Sequence, residues 1–244
     1  MVAGLELEEN TKTITEAIVQ RVRADILCCR LKPGDKLRVE KLRSAYGVGG
    51  SPVREALSRL TSVGLVRAEG QRGFTVAEVS TDDLLDLTRT RIWVETTALR
   101  SAIKDGDRNW EAEIMASAHR LGGNQPKISA EAGLEPEWEK KHRDFHLALV
   151  RGCNSSRLMH LRDQLNDLSD RYRHISVASG VKGRNPASEH KALMSAVLDR
   201  DVNTACRLIA DHFLETSRLV LVGTGTPTRT ANATIEQLRL NLLA

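Results

Sequence analysis

The chain has 244 residues, of which 41% are hydrophobic and 28% charged, so it is long enough for one large or two modest domains with buried cores. Its net charge of +4 is unevenly distributed, because 13 basic and only 7 acidic residues lie between Thr11 and Glu78. It has no run of about 18 apolar residues and an acidic N-terminus, so we expect neither a membrane span nor a signal peptide. Four cysteines without CxxC spacing favour reduced thiols in a cytoplasmic protein.

The first 62 residues carry the patterns of three helices. Residues 1–10 are predicted to form a flexible N-terminus. A helix from Thr13 to Arg30, capped by Thr13 and Glu16, is predicted by apolar residues that recur every fourth position: Ile14, Ile18, Val22 and Ile26. After a turn, two shorter helices are predicted, from Val39 to Tyr46 and from Ser51 to Ser62.

A β-hairpin is predicted directly after these helices. Its strands would run from Leu65 to Ala68 and from Phe74 to Val79, joined by the loop Glu69-Gly70-Gln71-Arg72-Gly73. A helix, a helix-turn-helix and a hairpin in this order predict a winged helix-turn-helix.

The remainder of the chain carries helical patterns only. The predicted helices run to about Lys104 from the capping cluster at 80–83, and then cover Asp107–Leu121, Pro136–Arg151, Leu158–Val177, Pro186–Leu198, Asp201–Val220 and an amphipathic tail, Ala231–Leu243. We therefore predict a mainly α protein. Its winged helix-turn-helix DNA-binding domain would span 11–79, its all-helical ligand-binding bundle 80–222, and a linker with a C-terminal helix 223–244.

The helix that starts at Ser51 has two distinct faces. Val53, Leu57 and Leu60 form an apolar stripe, and Ser51 and Arg54 lie near the opposite face. A helix in the DNA major groove reads base edges with such exposed side chains, while nearby Lys and Arg neutralise phosphates. A helical hairpin that only packs against its neighbours would show the same apolar stripe.

Residues 16–79 resemble the winged helix-turn-helix of the GntR transcription-factor family. The matching stretches, in order, are Leu31-Lys32-Pro33-Gly34-Asp35-Lys36-Leu37, Tyr46-Gly47-Val48, Ser51-Pro52-Val53-Arg54-Glu55-Ala56-Leu57, Gly64-Leu65-Val66 and Gly73-Phe74 with Val76. The resemblance implies DNA contacts from Ser51 and Arg54 and from the wing residues Gln71 and Arg72. Gly50 stands where the family often has an arginine, and we expect Arg38, Lys41 and Arg43 to compensate through phosphates.

Four of the seven histidines fall on three predicted helices of the C-terminal part. His142 and His146 are four residues apart and therefore project from one helix face, a common way to present two imidazoles to a metal ion. His190 and His212, on later helices, would complete the site. Histidines that serve only as ordinary core or surface residues are the alternative.

Residues 82–221 resemble the helical FCD ligand-binding domain of the FadR-type branch of GntR regulators. The matches are Arg91-x3-Glu95, Phe145-His146-x2-Leu149 followed by Gly152-Cys153-Asn154-Ser155, Glu189-His190-x2-Leu193, and His212. The resemblance implies a divalent metal held by Asp-x3-His and two later histidines. His142 stands at the Asp position, so the site has either four histidine ligands or three and open positions. Asp144 lies off that face.

Four neutral nitrogens suit Zn, Ni or Cu better than Mg or Ca, and we favour Zn, with Ni as the next choice. The resemblance also implies a small organic acid bound beside the metal by Arg91, with Arg89 and Arg173 as weaker candidates. An ion pair of Arg91 with Glu95 at i+4 is the alternative.

These features together predict a regulator, a repressor, whose homodimer binds a palindromic double-stranded operator under the control of an organic acid. Two other hypotheses remain open: a metal-dependent enzyme built on the histidines, and a regulator whose signal is the metal itself.

Overall fold

A computed structural model describes the backbone of residues 2–70, 73–122, 128–129, 133–178 and 184–243, and the side chains of residues 14–70, 73–122, 135–174 and 184–242. The chain divides into two compact units, Met1–Ser80 and Thr81–Ala244.

The first unit combines three helices with a small sheet. The helices are α1 (Val2–Leu27), α2 (Val39–Tyr46) and α3 (Gly50–Ser62), and the strands are β1 (Lys36–Leu37), β2 (Val66–Ala68) and β3 (Phe74–Val76). The sheet is antiparallel in the order β1-β3-β2, with Val66 opposite Val76 and Leu37 opposite Phe74. This is the predicted winged helix-turn-helix, with β1 as an additional strand.

The core of this unit lies between α1, α3 and the sheet. The predicted apolar stripe of α3 is fully buried, as are Val22 and Ile26 of α1. Ile14, at the start of that α1 series, is 37% exposed. The stripe therefore fixes which face of α3 is turned inward and leaves Arg54 on the outside.

Three expectations for this unit need correction. Helix α1 begins at Val2 instead of Thr13, since the Leu, Glu and Lys residues of this stretch are good helix formers and no proline follows; residues 2–10 are therefore helical, and Thr13 is not a cap. The helix ends at Leu27 instead of Arg30, because Cys29 has a left-handed φ of 56°. Strand β3 ends at Val76 instead of Val79.

The second unit is a bundle of seven helices within the described ranges. They are α4 (Thr81–Asp105), α5 (Arg108–Leu121), α6 (Pro136–Val150), α7 (Ser156–Ala178), α8 (Pro186–Leu198), α9 (Val202–Gly223) and α10 (Thr228–Leu243). Helix α4 packs against α6, α7 and α9, and α8 packs against α5 and α9. A two-stranded ribbon, β4 (Ile128–Ser129) with β5 (Gly133–Leu134), lies where a plain loop was predicted.

Helix starts in this unit follow from their capping residues. The side chains of Asp107, Asn185 and Asp201 accept hydrogen bonds from the backbone N–H three residues on, at 2.8, 3.3 and 3.0 Å. They satisfy backbone amides that the first turns of α5, α8 and α9 leave free. They fix where α8 and α9 begin. The start of each helix in turn determines which face each later residue occupies.

Polar contacts between helices are buried in this unit. Arg162 of α7 contacts both carboxylate oxygens of Glu95 of α4, at 2.9 and 3.0 Å, with both side chains 3% exposed. The indole N–H of Trp110 donates to the carbonyl of Ala148, joining α5 to α6. Because unpaired buried polar groups are costly, these contacts favour one register between neighbouring helices.

Helix α10 packs along α9 through Ala231, Ile235 and Leu238, all buried, and through an ion pair of Arg239 with Asp211. It begins at Thr228, three residues before the predicted tail. None of the described helices is both long and apolar enough to cross a membrane.

Candidate metal centre and nucleic-acid interface

Four buried histidines converge inside the bundle. His142 and His146 project from α6, His190 from α8 and His212 from α9, each 6–7% exposed, and one ring nitrogen of each lies within 4.8 Å of the others. The four-residue spacing places the first pair on one face of α6, and the packing of α8 against α9 brings the other two to it. The structure thus gathers all four predicted ligands, including His142 at the position where the resemblance implies an aspartate.

The ring geometry suits a small cation. Nε2 of His142 and Nε2 of His146 are 3.2 Å apart, close to the roughly 3.3 Å that separates ligands in a tetrahedral site with metal–nitrogen bonds of about 2.0 Å. Nε2 of His190 is buried with no hydrogen-bond partner among the described residues. Such an orphaned nitrogen is expected where a metal ion would complete its bonding.

All four imidazoles are held in the neutral form that a metal requires. Burial, reinforced by neighbouring histidines and arginines, lowers the pKa of His142, His146 and His212 well below 6.5. Burial and the nearby Arg184 lower the pKa of His190 to about 4, against an opposing effect of Glu189. Protons therefore do not compete for these nitrogens at neutral pH.

Aromatic rings enclose the cluster. The indole of Trp138 stacks on His142, with centroids 4.8 Å apart and planes 18° from parallel. Phe145 packs 5.1 Å from His190, and Phe213 packs 5.9 Å from His212. These rings contribute to the burial that lowers the pKa values of the histidines.

Arg91 of α4 lies beside the cluster without an acidic partner among the described residues. It donates to Ser169 Oγ at 2.5 Å and Asn166 Oδ1 at 2.8 Å, and its guanidinium lies 4.0 Å from the ring centroid of Phe213. Burial lowers its pKa to about 9, so it remains a cation at pH 7. Arg162 binds the Glu95 carboxylate, so Arg91 makes no ion pair with it, but the nearby charge of Glu95 still opposes the lowering of the Arg91 pKa.

The two weaker arginine candidates have different surroundings. Arg173 is already paired with Asp170 at 2.5 Å and with Glu139 at 3.4 Å. Arg89 is half-buried, and its Nε has no hydrogen-bond partner among the described residues. The charge of Arg173 contributes to the lowered pKa of His142 and His212, whereas that of Arg91 contributes to His146 and His212.

Two residues at the site escaped the sequence reasoning. Glu189 Oε2 lies 2.8 Å from His212 Nδ1, and Arg184 contacts both oxygens of Glu189, at 2.8 and 2.6 Å. Glu189 directly precedes His190 on α8, and this adjacency was the one available signal. Helical spacing does not show that the Glu189 side chain lies against α9 and reaches His212.

The predicted DNA-contacting residues of the first unit are exposed where the structure describes them. Ser51 and Arg54 lie on the first two turns of α3, and Arg38, Lys41 and Arg43 lie on or next to α2. Arg43 pairs with Glu40 at 3.1 Å, an exposed contact of little energetic weight. The wing positions Gln71 and Arg72 lie outside the described residues.

Comparisons with known proteins divide the chain in a similar way. The family model described as bacterial regulatory proteins, gntR family, matches residues 14–76, and that of the FCD domain matches residues 86–215. BphR of Paraburkholderia xenovorans (strain LB400), an uncharacterized HTH-type transcriptional regulator, is 39% identical over 204 residues, 83% of each chain. The HTH-type transcriptional repressor GlaR of Escherichia coli (strain K12) is 37% identical over 197 residues, 79% of this chain and 89% of that relative.

A solved structure supports the same fold. E. coli McbR/YncC matches with a TM-score of 0.67 at 23% sequence identity, over 87% of this chain and 99% of that chain. At this identity, the match bears on the fold alone.

Proposed function

Because the chain belongs to the GntR family of bacterial regulatory proteins and carries an FCD domain, we propose that it is a repressor controlled by a small organic acid bound beside a metal ion. That the chain is a helix-turn-helix transcriptional regulator and not an enzyme follows from the family. The repressor role, the effector and the metal are the proposed part. The enzyme hypothesis built on the histidines is therefore set aside.

One observation carries the proposal: four neutral imidazoles and an arginine cation without an acidic partner lie together inside the FCD unit. A divalent ion bound by four neutral ligands keeps its full charge, and Arg91 adds another positive charge. Such a site favours an anion. A carboxylate would take up Arg91 hydrogen bonds that Ser169 and Asn166 accept in this structure.

We propose a transition metal, with Zn favoured over Ni. Imidazole nitrogen suits these ions, whereas Mg and Ca prefer oxygen ligands. When bound, the metal would supply a Lewis-acidic charge to which a carboxylate can bind. His142, His146, His190 and His212 would hold it.

The choice of metal can be tested at His142. His142→Asp replaces a nitrogen donor with a carboxylate, so we expect it to shift the preference from Zn and Ni toward Mn in chelator-competition titrations. His160→Asp, at an exposed position of α7, is the control. An unchanged metal order in His142→Asp would show that His142 is not a ligand.

In the DNA-bound form, a homodimer would place two α3 helices on the half-sites of a palindromic operator in the cytoplasm. Ser51 and Arg54 would face the major groove, and Gln71 and Arg72 would contact DNA from the wing. Arg38, Lys41 and Arg43 would neutralise phosphates. Effector binding would change the operator affinity, and a coupling of about 1–3 kcal/mol gives a 5–150-fold response.

The test is a gel shift on fragments of the surrounding genome with Zn-loaded protein and a series of small organic acids. We expect a sequence-specific shift that at least one acid weakens 5-fold or more, and that Arg91→Met makes insensitive to the acid. A specific shift that no acid alters, with metal present or removed, would overturn the effector proposal.

The geometry also favours a second candidate, a regulator that senses the metal itself. Four nitrogen ligands can fill a tetrahedral shell and leave no position for an effector. In that case operator affinity would follow the Zn concentration with no organic acid present. A flat response across the Zn titration would eliminate this candidate.

A further inference from the structure

His212 has contacts that its three partners in the cluster lack. Nδ1 of His142 and Nδ1 of His146 have no hydrogen-bond partner among the described residues. Nδ1 of His212, in contrast, lies 2.8 Å from Glu189 Oε2 and 2.9 Å from Arg184 Nη2. An imidazole flanked by a carboxylate and a guanidinium has its tautomer determined by which of them it bonds.

Counting the N–H groups of Arg184 resolves this choice. Its Nη2 carries two hydrogens, and two oxygen acceptors lie within reach: Glu189 Oε2 at 2.6 Å and the His212 carbonyl at 2.9 Å. Its Nε and Nη1 donate to Glu189 Oε1 and to Thr216 Oγ1. No Nη2 hydrogen is left for the ring, so His212 Nδ1 carries the proton and donates it to Glu189.

This proton position determines what the other ring nitrogen can do. With Nδ1 protonated, Nε2 of His212 has a free lone pair. A carboxylate that orients a metal-binding histidine in this way typically changes metal affinity 10- to 100-fold when it is removed.

Arg184 holds the carboxylate in place. Its two contacts with Glu189 form a fork-like pair, and its bonds to Thr216 and to the His212 backbone tie that pair to α9. Its side chain is 12% exposed and that of Glu189 30%. The carboxylate of α8 is therefore held against α9 even without a metal, and the site is preorganised.

We propose that Glu189, held by Arg184, is a positioning residue that fixes the Nδ1–H tautomer of His212 and so raises the affinity of the cluster for a divalent transition metal. This inference rests on the metal site of the proposed function. In this view, the Glu189–Arg184 pair strengthens metal binding at the side of the cluster that α8 and α9 form.

The first measurement is metal affinity. Both carboxylate oxygens of Glu189 accept hydrogen bonds from Arg184 and His212, but a glutamine side chain has only one oxygen that can accept. We therefore expect Glu189→Gln to weaken Zn binding 10- to 100-fold in competition with a chelator. Glu215→Gln is the matched control, since Glu215 makes a similar fork-like pair with Arg218, at 2.7 Å for both contacts, on the same α9. Its affinity should stay within 3-fold of wild type.

The second measurement reads the tautomer directly in metal-free protein labelled with ¹⁵N-histidine. Long-range ¹H–¹⁵N correlation spectra should show His212 protonated at Nδ1 in the wild type and a mixture of tautomers in Glu189→Gln. Circular dichroism establishes that each variant is folded. If Glu189→Gln does not fold, the wild-type tautomer alone decides, and Nε2–H at His212 would overturn the inference.

The outcomes separate the two proposals. Equal Zn affinities of the wild type and Glu189→Gln would overturn the positioning role and leave the metal site intact. Wild type that binds neither Zn nor Ni would overturn the metal site of the proposed function, whatever the tautomer of His212.

Discussion

Two arginines of this chain, one buried and one exposed, differ in what surrounds them. Arg91 is held by the neutral partners Ser169 and Asn166 inside the bundle, whereas Arg54 projects from α3 with no hydrogen bond or ion pair to other described residues. The first suits a small anion in a site of low dielectric, the second a base edge or phosphate of DNA.

We expect Arg54→Ala to weaken operator binding by about 1–3 kcal/mol, roughly 5- to 150-fold, because one side-chain contact to DNA is lost. Thermal stability should be unchanged, since Arg54 packs against nothing in the core. Gel-shift titration measures the affinity. Arg120→Ala, at an exposed arginine of α5, is the control. Equal losses in both variants would mean that general charge, not the position of Arg54, matters.

The histidine cluster predicts a pH dependence of the metal-free protein. The pKa of His190 is lowered in the fold to about 4 from about 6.5, so the folded state binds fewer protons than the unfolded one. This contribution to stability is fully present above pH 6.5 and is lost as the pH falls toward 4. At 1.36 kcal/mol per pKa unit it amounts to about 3 kcal/mol at most.

The measurement is the melting temperature of chelator-treated protein from pH 7 to pH 5. We expect it to fall more steeply in wild type than in His190→Gln, which has no proton to gain at this position. His160→Gln, at an exposed position, should keep the wild-type slope. Parallel curves for wild type and His190→Gln would contradict the assignment.

At the scale of elements, the turn between α4 and α5 has no room for a side chain at Gly106. A Cβ atom at Gly106 would lie 2.1 Å from Trp110 Cε3 and 2.6 Å from the Ala102 carbonyl oxygen. The indole cannot move aside freely, because its N–H is bonded to the Ala148 carbonyl of α6.

Gly106→Ala should therefore destabilise the helical unit by about 1–3 kcal/mol, the usual cost of overpacking a core. Urea denaturation followed by circular dichroism measures it. Gly49→Ala is the control, because its Cβ would meet only Pro52 Cδ at an ordinary 3.7 Å. An unchanged midpoint in Gly106→Ala would show that the Trp110 contact can relax.

The elements predicted most accurately from the sequence are those with a clear local signal at one end. Helix α8 begins at the predicted Pro186, directly after the cap Asn185, and α2 has a glycine, Gly47, at its end. Strand β1 was missed because two residues carry no periodicity, and it exists only through pairing with β3. The sequence predicts too late a start for α1, because Thr13 and Glu16 form a capping pattern within a stretch whose helix propensity carries the helix back to Val2.

Partners between distant elements could not be predicted from spacing. The i+4 spacing of Arg91 and Glu95 suggested a local pair, but Arg162, 67 residues away, takes the carboxylate. The grouping of four histidines was inferred from the His142–His146 spacing and the family resemblance. The contact of Glu189 with His212 depends on how α8 packs on α9, which no local pattern encodes.

At the scale of the whole molecule, the two units should respond differently to salt. Operator binding displaces counterions from DNA, so the logarithm of its affinity should fall linearly with the logarithm of salt concentration, with a slope of about −0.9 per phosphate contacted. The proposed Zn ligands are buried, and salt screens interactions among buried groups only weakly. We expect a steep slope for the first and a nearly flat one for the second.

Parallel titrations of operator and Zn affinity between 50 and 200 mM salt, roughly the range over which such slopes are measured, test this contrast. Lys41→Ala should reduce the operator slope by about 1 and leave the Zn curve unchanged. Lys140→Ala, an exposed lysine of α6, should change neither. A Zn affinity that falls as steeply as operator affinity would contradict a buried site.

The stacking of Trp138 on His142 gives the protein an internal optical reporter. A Ni or Cu ion bound at the proposed site would quench the fluorescence of this indole, whereas Zn, with a filled d shell, would leave the emission largely intact. Trp93 is 54% exposed and lies on α4, a helix that carries none of the four cluster histidines. Its red-shifted emission therefore provides an internal reference. Occupancy of the centre can thus be followed in unlabelled protein, while the same sample is titrated with operator.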